Sequence, residues 1–267
     1  MSLRNTVRAM PVILKVSFSE ALAYRAEFMI WVLTTTMPLI MLALWSAVAS
    51  EAPVGRFGQT QFTAYFLSTF IVRQLTSSWA AWQMNYEVRH GVMSMRLLKP
   101  IHPLWSYAAE HWAALPMRLV VAIPMAAIAL AVVGARQLPS DPAIWGIWCA
   151  SMAGAWLIGF LTGVTVGCLS FHLESSVKVM DVWFALFFMA SGYLFPIVLL
   201  PSAIRHVVDW LPFRYQLGLP VEIMTGAYDR AGALWMVARQ WGFVLLLLGL
   251  ATIAWRTGIK RFEAYGG

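Results

Sequence analysis

The chain has 267 residues, of which 60% are hydrophobic and only 12% charged, with a formal charge of +7 and a mean hydropathy of +0.70. Soluble domains carry about 25% charged residues, so this composition excludes most soluble-enzyme readings. The basic residues are scattered between apolar runs rather than gathered in one patch, which argues against nucleic acid as a partner.

The first 26 residues read as an interfacial helix. Leu3, Val7, Met10, Leu14, Phe18 and Leu22 recur every three or four positions, with Arg4, Arg8 and Lys15 off that stripe and Pro11 as a kink or a fresh start. A leader packed on a partner subunit would show the same pattern. Six apolar runs follow: Phe28–Ala49, Phe62–Met84, Tyr107–Gly134, Ile144–Leu169, Val179–Leu200 and Trp241–Trp255. About 20 helical residues cross a hydrocarbon core of roughly 30 Å, so five are span-length as they stand and the last becomes so if it starts near Trp235. The expected fold is an all-α polytopic membrane protein with six transmembrane helices in one domain over 1–267. Ser46-Ala47-Val48-Ala49-Ser50 resembles a signal-peptidase site, but the apolar run before it is too long for a signal segment, and it is read as an uncleaved first span.

Charge sets the expected orientation. With a cytoplasmic N-terminus, Arg4, Arg8, Lys15, Arg25, Arg89, Arg96, Lys99, Lys178, Arg256, Lys260 and Arg261 lie inside, eleven in all. Six lie outside: Arg56, Arg136, Arg205, Arg214, Arg230 and Arg239. That bias, with an even number of spans, places both termini in the cytoplasm.

Span four carries Ala155, Gly159, Gly163 and Gly167 at strict four-residue spacing, a smooth stripe suited to close helix packing. Cys149 and Cys168 lie in the same span and read as small packing residues. The stretch 201–230 is rich in proline and apolar residues but too short-pieced to span. Ser202 can cap one short helix, and Pro220 can open another that Gly226 closes, giving helices that re-enter or lie on the outer leaflet.

Arg73 and Arg118 fall within spans two and three. At about 1.5 Å per residue they sit roughly 18 and 21 Å from the cytoplasmic ends, near the bilayer midplane, where an arginine costs at least about 2.5–3.5 kcal/mol. The candidate acids are Glu110, nearer the cytoplasmic end of span three, and Asp181, which begins span five, and neither matches that depth. Each arginine is a candidate for the translocation path, or a structural side chain bonded to backbone carbonyls of neighbouring helices. If they line a path, the cargo carries negative charge or a polar headgroup. There is no glycine-rich loop followed by Lys-Ser/Thr, no His-Glu-x-x-His and no metal-ligand spacing among His90, His102, His111, His172 and His206.

The segment 85–106 is the longest expected on the cytoplasmic side. Gly91 and Pro100 bracket a helix of about two turns, with Met95 and Leu98 as an apolar face and Arg89, Arg96 and Lys99 as charge. It is either a handle for a cytosolic partner or a solvated loop. The run Glu87-Val88-Arg89-His90-Gly91, continuing to Leu97-Leu98-Lys99-Pro100, resembles the coupling segment of bacterial type-2 ABC export permeases, in the branch that pairs with drug-resistance-like ATPases. Leu211-Pro212-Phe213-Arg214-Tyr215, with Pro220 and Thr225-Gly226, is similar to that family's element after the fifth span. So is the tail Arg261–Gly267. The resemblance covers essentially the whole chain.

What the resemblance implies is a permease of the bacterial inner membrane, without enzymatic activity of its own. It would pair with a second copy or a homologous permease and sit on a dimer of ABC ATPase subunits, which bind the ATP and Mg²⁺; this chain would hold no cofactor. By that likeness Glu87 to Pro100 contains the coupling helix, and the helices from Pro201 to Gly226 are re-entrant. Two alternatives are an intramembrane lipid-modifying enzyme and an ion-driven secondary transporter. The first needs a nucleophile or acid–base pair at one depth, the second acids within spans and inverted repeats.

Overall fold

A computed structural model describes residues 3–24, 26, 30, 35–134 and 138–262. The termini, Arg25 and most of the start of the expected first span, Arg136, and the tail Glu263–Gly267 lie outside the described residues. The chain is about 80% helical, with no strand among the described residues. In chain order the helices are α1 (Leu3–Ala23), α2 (Met37–Glu51), α3 (Gln59–Thr76), α4 (Ala80–Arg89), α5 (Met93–Leu97), α6 (Pro103–Ala113), α7 (Leu115–Val133), α8 (Pro142–Cys168), α9 (Val177–Ala190), α10 (Ser202–Val208), α11 (Pro212–Gln216), α12 (Gly218–Met224) and α13 (Arg230–Gly258).

Among the described residues three stretches are long and apolar enough to cross a membrane: Pro103–Val133, Pro142–Phe171 and Arg230–Arg261. By length and composition the remaining expected crossings are shorter or interrupted helices. The second apolar run is divided into α3 and α4 by Ser77–Trp79, and α9 ends at Ala190 after 14 residues, about 21 Å. Beyond Ala190 the chain turns at Gly192 (φ +87°). α2 has 15 residues, and most of those expected to extend it lie outside the described set.

Side-chain contacts fix the direction of each element. α8 and α13 run parallel: Asp141 and Arg230 pair at their starts, and Phe171 meets Trp255 at their ends. α4 follows the same direction along α8, since Gly163 faces Ala80 and Ala81 while Gly167 faces Met84. α2, α6–α7 and α9 run the opposite way. Trp45 stacks on Phe62, Tyr107 meets Glu87 while Arg118 meets Gln74, and Asn85 bonds Ser176 while Trp82 stacks on Phe184. Residues 90–102, 169–176 and 259–262 therefore gather at one end of the molecule, and 52–58, 138–141 and 191–229 at the other.

α1 runs unbroken through Pro11 and packs on α6. Its packed side uses Ile13, Leu14 and buried Ser17, whereas Val12, Val16, Phe18 and Leu22 are exposed. Phe18 and Leu22 thus face outward instead of joining Met10 and Leu14 on one stripe, because this helix is apolar on both sides. Cys149 is exposed and Cys168 buried, both as free thiols.

The seam between α4 and α8 depends on small side chains. A Cβ on Gly163 would lie 3.3 Å from the Ala80 Cβ and from the Ala81 backbone nitrogen, and one on Gly167 would lie 2.8 Å from the Met84 Cβ. Gly163→Val is expected to destabilise the fold by about 1–3 kcal/mol, because backbone on the facing helix must move. Thermal unfolding in detergent checks this, and an unchanged midpoint would show that the seam tolerates a wider spacing.

Candidate functional site

α4 ends at Arg89, and the chain reverses at Gly91 with φ +71°, a conformation that side chains disfavour. α5 then spans only Met93–Leu97, little more than one turn, so the expected two-turn helix is shortened by the turns on either side. Met93 points inward and is fully buried, while Met95 and Leu98 are 65% and 80% exposed. Lys99 and Pro100 are exposed beside them, and exposed Arg89 donates to the Leu173 carbonyl at 2.8 Å. An apolar knob with a basic flank therefore projects from this end.

Beneath the knob, Arg96 turns away from solvent. Its Nε and Nη2 donate to the two oxygens of Glu87 at 2.7 and 2.5 Å, and its Nη1 donates to Glu110 at 2.7 Å. The Tyr107 hydroxyl donates to Glu87 at 2.5 Å, Gln83 donates to Glu110, and the guanidinium lies 4.1 Å from the Tyr107 ring centroid. Burial disfavours the Arg96 charge, but the Glu87 hydrogen bonds and the Glu110 charge outweigh it and raise the pKa further above its ordinary range. One side chain on α5 thus clasps α4 through Glu87 and α6 through Glu110. Glu87, Arg89, Arg96 and Met95 were visible as candidates in the sequence; Gln83 and Tyr107 were not, and Glu110 was weighed only against the deeper arginines.

At the other end of α4, the interruption at Ser77–Trp79 leaves helix backbone groups without partners, and side chains of α6 and α7 supply them. Arg118 Nη1 donates to the carbonyls of Gln74 and Ser77 at 3.0 and 2.9 Å, with its guanidinium 5.0 Å from the Trp79 ring. His111 Nε2 accepts the Trp79 N–H at 3.0 Å while Nδ1 faces the Tyr107 carbonyl at 2.7 Å. Making both bonds requires the proton on Nδ1, so the Ser78 hydroxyl, 3.1 Å from Nε2, is also a donor. Arg118 is buried and committed to backbone. Arg73 is half-buried and lies 5.3 and 5.8 Å from the rings of Phe187 and Phe184, with Tyr193 beside it. Among the described residues no carboxylate pairs with Arg73.

The opposite end holds a second buried ion network. Arg214 donates to Asp209, to Glu222 at 2.8 Å and to the Tyr228 oxygen at 2.7 Å, and Tyr228 donates to Glu222 at 2.7 Å. Burial opposes the Arg214 charge, but Glu222 prevails and raises its pKa. Tyr215 and Arg239 both donate to the Asp209 carbonyl, and Trp148 donates to that of Pro220. Phe213 packs on Trp183 at 4.6 Å. Pro212 opens α11, whereas Pro220 is the third residue of α12 rather than its opener, since that helix starts at Gly218. Gly226 follows with φ +70°. Ser202 makes no capping bond. In the α8 stripe, Ala155 is fully buried and the Gly159 position lies against Gln216.

No group of three or more His, Cys, Asp or Glu among the described residues could hold a metal ion. A search of curated proteins found no match. A protein-family model described as "ABC-2 family transporter protein" matches residues 36–266, nearly the whole chain. That match, on an all-α chain with three span-length apolar helices, makes this a membrane-embedded ABC permease subunit rather than a catalytic one. The protein belongs to the ABC-2 family of transporter proteins.

Proposed function

We propose that this chain is the membrane subunit of an ATP-driven exporter in a bacterial inner membrane. It works with a second permease, a copy or a homologue, on two ATPase subunits that bind ATP and Mg²⁺. α5 is its coupling helix. One observation carries this reading: the exposed Met95 and Leu98 sit on a turn that the Arg96 clasp ties to both α4 and α6. Force applied to such a turn moves two crossings together. In this reading the chain crosses six times, with α3–α4 and α9 as interrupted crossings and α10–α12 as the re-entrant element.

The α5 end carries Arg89, Arg96, Lys99, Lys178, Arg256, Lys260 and Arg261, against Arg56, Arg205, Arg214, Arg230 and Arg239 at the other. That asymmetry supports a cytoplasmic α5 and both termini inside. Replacing Gly91–Lys99 with a flexible linker of equal length should leave ATP hydrolysis running in the assembled complex while transport stops. Normal transport with that linker would remove α5 from the coupling role. Arg73, beside aromatic rings and with no carboxylate partner among the described residues, is the candidate contact with cargo. Arg73→Gln should abolish export while assembly with the ATPase survives, and unimpaired export would count against it.

A further inference from the structure

A cleft of about 460 Å³ lies between the start of α6 and the end of α13, lined by His102, Leu104, Thr252, Trp255, Arg256 and Lys260 with Ile259. That volume is within the range of small-molecule sites. Its floor is apolar: Leu104 and Ile259 are half-buried and Trp255 is buried, with its ring 5.2 Å from that of His102. Its rim is cationic. Thr252, Arg256 and Lys260 succeed one another at four-residue steps, which puts them on one face of the helix end. Among the described residues no carboxylate pairs with Arg256 or Lys260, and both are exposed. The Thr252 hydroxyl is spent on the Leu248 carbonyl at 2.7 Å, so the charge at this site comes from the two cations one and two turns further out.

Depth completes the picture. α6 opens the span-length stretch Pro103–Val133 and the cleft flanks the last turn of α13, so the site lies at a membrane boundary. Exposed Trp105 stands nearby on α6, a residue type suited to that level. An apolar floor at the edge of the hydrocarbon with two exposed cations above it matches the glycerol–phosphate region of a lipid. Basic pockets between transmembrane helices characteristically take anionic headgroups.

We propose that this cleft is a binding site for an acidic phospholipid of the leaflet on the α5 side. The phosphate lies on Arg256 and Lys260, and the proximal acyl carbons lie along Leu104, Trp255 and Ile259. The site rests on membrane embedding alone and is independent of how the transport cycle works.

The test uses the full chain in vesicles of equal parts phosphatidylglycerol and phosphatidylcholine. The protein is extracted in mild detergent and the retained lipid counted by mass spectrometry. The unsubstituted chain should retain phosphatidylglycerol in excess, and Arg256→Gln with Lys260→Gln should lower that excess about 5-fold for each charge removed. Arg56→Gln, at the far end, should leave it unchanged, and circular dichroism should show all variants equally helical. Equal retention of the two lipids, an excess that survives the double substitution, or an equal loss in Arg56→Gln would overturn the proposal. Displacement of the lipid by millimolar inorganic phosphate would reassign the site to a free anion. Phospholipid retained only after residues 263–267 are deleted would reassign it to the chain's own tail.

Discussion

Arg96→Gln is expected to cost about 3–5 kcal/mol of stability, the largest effect of any single change at the α5 end, because it leaves Glu87 buried without its counter-charge. The Glu87 side chain is 7% exposed and that of Arg96 is 11%, so water cannot take over the role of the guanidinium. Arg96→Lys keeps the charge but cannot bond both Glu87 oxygens and Glu110 at once, and should fall between the native protein and the glutamine variant. Adding Glu87→Gln to Arg96→Gln should recover part of the loss, since the stranded carboxylate is then gone. Denaturation of the native protein, Arg96→Gln, Glu87→Gln and the double variant in one detergent makes the double-mutant cycle. A double variant no better than Arg96→Gln would mean that packing, not charge, holds α5 in place.

Arg118→Leu should be nearly as damaging, at about 2–4 kcal/mol. It removes two hydrogen bonds from a charged donor and leaves the carbonyls of Gln74 and Ser77 facing an apolar interior. Arg118→Lys places one ammonium near the same carbonyls and should retain more than half of the stability. The accompanying structural readout is the Ser77–Trp79 segment. Without Arg118 its backbone gains by closing into continuous helix, so amide exchange at Ser78 should slow. A leucine variant as stable as the parent, with unchanged exchange, would show that the interruption needs no support from α7.

Hydropathy located the apolar segments because the cost of exposing apolar surface is summed along the chain and needs no partner. It could not locate the interruption of α3–α4. Ser77-Ser78-Trp79 contains neither glycine nor proline, and what holds the chain open there comes from Arg118 and His111 on other helices. Both arginines were legible as costly at mid-depth, and a backbone-bound arginine was one of the two readings open for Arg118. The separation of roles between Arg73 and Arg118 was not legible, since rings lie beside both and only Arg118 is held by the carbonyls of Gln74 and Ser77. The clasp was half-legible. Glu87 and Arg96 stand out inside one segment, but Glu110 and Tyr107 join them only when α6 folds back antiparallel. The partners of Arg214 were hidden for the same reason. Glu222 and Tyr228 are 8 and 14 residues away, but the chain breaks between α11 and α12 and again after Met224, so no single helix face connects them. Pro220 misled because proline fits the first turn of a helix at more than one position.

The pause between α6 and α7 at Ala114 stands level with the one between α3 and α4. His111, just before it, and Arg118, just after it, both reach the same three-residue gap. Two neighbouring helix pairs are thus jointed at a common height, and on the α5 side of the joint α4 and α6 are held together by Arg96. In the coupling role proposed for α5, leverage on it reaches that clasped pair together with the faces of α8 and α9 on which α4 is seated.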